Sequence, residues 1–282
     1  MSAQETDDKL LLQTRVVAAV LVPVLGTAFL LLYFFPSDTD RLFAWTIRPP
    51  MTPMVMGAAY GAGAYFWTRV FFTSEWHRIA VVFLATTVFT GLNGIATVIH
   101  WDRFHHDNVT FWIWAVVYFV TPVLVPLTYF LNAPRDTRKR EEPVLMPSTL
   151  RLLMGASGVA GIALATVMFI SPSTIIPDFP WALTPLTTRV IAAWLAFFGF
   201  GWLSMARDPR WSAWQLTMES SVIALCLILI GVVRDWDSFD DSAVETWLFV
   251  GVALGYLSVV IYSFAYAASA RRQTATAPAA AG

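Results

Sequence analysis

The chain is written in long apolar runs separated by short polar ones. Eight stretches, 15–35, 51–71, 79–99, 111–131, 150–170, 187–206, 213–233 and 246–268, each hold about twenty predominantly apolar residues. A helix rises about 1.5 Å per residue, so a run of that length crosses the roughly 30 Å hydrocarbon core of a bilayer. Backbone amides must find partners inside such a segment, which makes each run a helix. The pattern predicts an all-α integral membrane protein with eight transmembrane helices. The first run exceeds a signal-peptide core and follows an acidic flank (QETDDK), so it is expected to be retained as a helix.

The eight predicted helices form two sets of four. At an offset of 136, Phe43, Trp45 and Pro49 match Phe179, Trp181 and Pro185. After a one-residue gap, Trp67, Trp76, Trp101, Asp102, Phe104 and Trp112 match Trp202, Trp211, Trp236, Asp237, Phe239 and Trp247. Tryptophan is rare, and its recurrence in register marks a duplicated unit. Four spans are an even number, so the two units point the same way through the membrane, as parallel repeats. The expected organisation is a cytoplasmic N-terminus over 1–14, a first four-helix repeat over 15–131, a cytoplasmic linker over 132–149, a second repeat over 150–268 and a disordered cytoplasmic tail over 269–282. The linker carries mixed charge and three prolines, and the tail is low in complexity.

Composition agrees: the chain is 57% hydrophobic and only 13% charged, against about 25% charged in soluble domains. With the N-terminus inside, thirteen Lys and Arg fall in cytoplasmic segments and five in outer ones, which predicts cytoplasmic termini. The outer loops hold ten carboxylates against those five arginines. A net charge of −1 gives no case for nucleic acid. The single Cys226 excludes a disulfide and a Cys-based metal site. No G-x-x-x-x-G-K-[ST], H-E-x-x-H, G-x-S-x-G or C-x-x-C occurs, and no Lys lies mid-span to carry a Schiff base.

Comparing the copies separates architecture from candidate chemistry. The shared Trp-Asp-x-Phe reads as an interfacial anchor whose carboxylate caps a turn. His100, His105 and His106 occupy positions taken by Asp235, Asp240 and Asp241 in the second copy. With Asp102 and Asp107, these three histidines could ligate a divalent transition metal (Zn, Cu or Ni) or carry protons near neutral pH; an exposed loop is the plainer reading. Thr86, Thr90, Asn93 and Thr97 recur at spacings of four, three and four, placing them on one face that continues to His100. That stripe is either glue between helices or a polar path for substrate or ion. Glu219 is the one carboxylate well within a span, a proton, cation or substrate contact by default, unless it reaches interfacial water or pairs with Arg207 or Arg210. Pro122 and Pro126 interrupt the fourth run, and Gly91 and Gly94 would admit a close neighbour to the third.

The stretch FAWTIRPPMTPMVMGAAY, with IHWDRFHHDNVTFWIWAVVYFVTPVLVPL, resembles a family of multi-pass proteins of high-GC bacteria. The resemblance implies a bacterial inner-membrane location and carries no activity. The leading functional expectation is binding or passage of a small solute or ion through a polar cavity between the repeats. Two others stand beside it: a non-catalytic subunit of a larger membrane complex, and a membrane enzyme using the outer His/Asp loop. The expected partners are the lipid bilayer and other membrane subunits or further copies in a homo-oligomer.

Overall fold

The structure is a computed structural model that describes residues 10–73, 75–135 and 144–276. Among these residues it is all-helical, with no strand. Eight long helices are named here α1 (Leu12–Phe29), α2 (Met51–Phe72), α3 (Phe83–Ile99), α4 (Val109–Asn132), α5 (Ser148–Ile170), α6 (Pro185–Arg207), α7 (Trp211–Arg234) and α8 (Val244–Thr276). A wider π turn, Leu30–Phe34, continues α1. Seven of these segments are long and apolar enough to cross a membrane, so by length and composition the chain is a polytopic membrane protein.

The eighth long helix, α2, has the length but not the apolarity of the others. Thirteen of its 22 residues are buried inside the protein, so most of its surface meets other helices rather than lipid. Small residues serve that position. A Cβ on Gly57 would lie 2.8 Å from the Tyr33 backbone, and one on Gly61 would lie 2.9 Å from the Phe29 ring.

Packing joins α1 to α2, α3 to α4, α5 to α6 and α7 to α8. It also joins α2 to α7 and α3 to α6. The helices therefore form two rows, α1–α2–α7–α8 and α4–α3–α6–α5. Side chains tie one row to the other: Tyr60 on α2 meets Tyr118 on α4, and Trp202 on α6 donates to Tyr256 on α8. Asn132, fully buried at the end of α4, donates to Thr14 on α1 and accepts from the Leu11 amide.

The shared aromatic motifs build two matching clusters. Trp45 packs on Phe43, Phe104 and Trp114 with ring centroids 5.1, 5.3 and 4.8 Å away. Trp181 packs on Phe179, Phe239 and Phe249 at 4.7, 5.3 and 5.0 Å. Phe104 and Phe239 are buried, whereas Asp102 is exposed beside Arg103. The phenylalanine of Trp-Asp-x-Phe is thus the member that holds the loop down, and the Asp102 carboxylate makes no turn-capping bond.

At the other end, the last residues of the expected linker fold back on the body. The Met146 amide donates to Pro209 and Trp211 donates to Val144. Helix α8 runs on to Thr276, into the segment expected as tail; residues 136–143 of the linker and the last six residues lie outside the described residues.

Candidate functional site

Between the two rows lies a cavity of about 130 Å³ lined by every long helix except α5. Its wall is mostly apolar and rich in aromatic rings, including Tyr60, Phe89, Tyr118, Trp194, Phe197 and Trp202. The lining hydroxyls are largely turned back on their own helices. Thr86 donates to Val82, Thr90 to Thr86, Thr121 to Val117 and Ser221 to Thr217, each to a backbone carbonyl four residues earlier. Such back-bonding satisfies the proton locally and leaves methyl or methylene surface toward the space.

A few polar groups stand apart from that pattern. The Trp194 Nε1 and the Thr217 Oγ1 are buried with no partner, and both residues line the cavity. The Tyr60 and Tyr118 hydroxyls lie 2.7 Å apart. One donates to the other, so one of the two protons remains free for a third group. An unpartnered N–H or O–H in apolar surroundings carries a cost of about 1–3 kcal/mol, which a bound acceptor would relieve. The second copy has Ala253 where Tyr118 stands, so the tyrosine pair belongs to one half only.

The polar stripe of α3 divides. Thr86 and Thr90 reach the cavity, while Asn93 and Thr97 are fully buried and do not line it. Thr97 accepts from the Trp114 indole at 2.8 Å, and Asn93 donates to the Phe89 carbonyl with its own Oδ1 unpartnered. A Cβ on Gly94 would lie 2.7 Å from the Tyr118 carbonyl, whereas Gly91 has open space. Pro122 has no N–H to return to that carbonyl. The close α3–α4 approach therefore falls where the proline leaves an acceptor exposed.

Glu219 faces α2 rather than the cavity. It accepts from Tyr65 at 2.8 Å, from Arg69 at 2.6 Å and from Gln215 at 2.9 Å. Its cationic partner is Arg69, not Arg207 or Arg210. Arg210 instead grips Asp208 in the turn between α6 and α7, and Arg207 bonds the Leu203 carbonyl.

The histidine loop is bound down at three separate points. His100 Nε2 accepts from Arg189 at 2.8 Å. His105 bridges Thr46 and the Phe43 carbonyl in the loop before α2. His106 packs at a tilt against Trp101 and meets the Phe111 ring edge-on. Burial, then the positive charge of Arg189, holds the His100 imidazole below its ordinary value despite the opposing pull of Asp102. Asp107 is exposed, and among the described residues no three His, Cys, Asp or Glu converge as a metal-ligand group.

The residues that stand out here and not in the sequence reading are Tyr60, Tyr118, Trp194 and Arg189. Their signal is position: aromatic residues with polar handles normally sit at the bilayer interface, and Tyr60, Tyr118 and Trp194 lie well inside their helices. No protein family, curated protein or solved structure was found to match this chain.

Proposed function

We propose that the chain crosses a bacterial cytoplasmic membrane eight times, as two parallel four-helix units with both termini cytoplasmic, and that the cavity binds a small solute. The copies are interleaved: each row takes two helices from the first copy and two from the second. His77 bonds Ser212 at 3.0 Å, and these residues are each other's match at the 135 offset. Contact between equivalent positions is what a two-fold axis produces, and an axis along the membrane normal fits parallel repeats.

The observation that carries the binding reading is an aromatic-walled space holding two unpartnered polar atoms, Trp194 Nε1 and Thr217 Oγ1. The wall favours an apolar solute with one hydrogen-bond acceptor over a hydrated ion. About 150 Å³ suffices for benzene in a dry protein cavity, so the occupant is of single-ring size.

Acetophenone and ethylbenzene, of similar shape but differing in a carbonyl, test this. We expect acetophenone to raise the melting temperature of the detergent-solubilised protein more than ethylbenzene does. Trp194→Phe should erase that difference, and the cavity-filling Ala224→Leu should abolish both shifts. Equal shifts in all three proteins would place the effect in the micelle and reject the reading.

A further inference from the structure

Helix α3 ends at His100 at the end of the molecule that carries the exposed Trp101, Trp112 and Trp247. Arg189, one turn into α6, points Nη1 at His100 Nε2 from 2.8 Å. A ring nitrogen that accepts from a guanidinium is unprotonated, so the pair holds one fixed positive charge. Among the described residues, no carboxylate lies within ion-pair distance of Arg189. The nearby Asp102 is 78% exposed and sits 3.5 Å from Arg103. The Arg189 Nε is buried and has no acceptor. A half-buried guanidinium without a counter-charge is costly, and its fork of N–H donors suits two oxygens of one anion. The repeat does not demand this arrangement, because Pro53 and Asp235 stand at the matching positions of the other copy.

We propose that Arg189, held in place by His100, forms an oxyanion site for a phosphate group at the membrane interface. Exposed tryptophans at this end set the depth of lipid headgroups. The loops here carry ten carboxylates against five arginines, which disfavours approach of free anions. A phospholipid headgroup is therefore the favoured source of the phosphate, with soluble phosphate the other. This inference needs the membrane but not the cavity solute.

The test is native mass spectrometry of the full chain in detergent with added phosphatidylglycerol, alone and with excess inorganic phosphate. Wild type should retain one lipid, and Arg189→Gln should weaken retention about tenfold, the loss of one charge-assisted fork. Arg189→Lys, which keeps the charge and loses the fork, should fall between them, and it decides the matter if the glutamine variant does not fold. Displacement of the lipid by inorganic phosphate assigns the site to the free anion, and retention assigns it to the headgroup. Equal retention by wild type and a monodisperse Arg189 variant, or no retention by wild type, overturns the proposal.

Discussion

The Arg69–Glu219 pair locks α2 to α7. Glu219 has three donors from α2 and α7, and its side chain is 18% exposed against 46% for Arg69. The exposed arginine discounts the ion pair, so removing it with Arg69→Met should cost about 1 kcal/mol. Glu219→Gln keeps an acceptor for Tyr65 and should cost less than Arg69→Met, which strands a carboxylate. The double variant should cost less than the two single losses added, read from denaturation in mixed micelles. Strict additivity would show that the pair is not coupled.

Asp208 offers a pH test. Burial alone would push its carboxyl up, but the Arg210 hydrogen bonds and charge hold it below the ordinary 3.8. A carboxyl lowered by folding stabilises the protein at every pH above its unfolded value, and that stability is lost as pH falls through the folded value. Wild type should therefore lose stability below about pH 4 more steeply than Asp208→Asn does.

At the level of elements, what the sequence made legible was periodicity, and what it concealed was partnership. All eight apolar runs are helices, and the stripe from Thr86 to Thr97 does lie on one face of α3. Spacing alone does not say which neighbour that face meets, so the split between cavity and the α4 contact was out of reach. Arg69 and Glu219 are 150 residues apart, and no local pattern joins them. The buried tryptophans Trp45, Trp76 and Trp211 were visible as repeated positions, yet a tryptophan near a span end reads equally as an interfacial anchor or as core. Glycine was more informative. Gly94→Ala should force α3 from the Tyr118 carbonyl and cost about 1–3 kcal/mol. Gly91→Ala, with nothing nearby to meet, should be neutral or stabilising by up to about 1 kcal/mol. Similar losses at both positions, in the same denaturation assay, would remove the close α3–α4 contact from the account.

For the whole molecule, the topology turns on α2. Its neighbours α1 and α7 are apolar enough to cross a membrane by composition, whereas α2 owes its place to burial among them. It packs along both, and the proposed eight-span topology requires it to run at their depth. If it crosses, the count is even and the two termini share one side. If α2 instead lay outside the membrane, seven crossings would put the termini on opposite sides and the two halves could no longer be parallel. Reporter fusions at each terminus, one set active only in the cytoplasm and one only outside it, separate these cases. We expect both termini to report cytoplasmic, with single cysteines placed at Asp40 and Asp107 labelled from the outside by a membrane-impermeant maleimide. Termini on opposite sides would dissolve the parallel pair and, with it, the reason for a two-fold contact between His77 and Ser212.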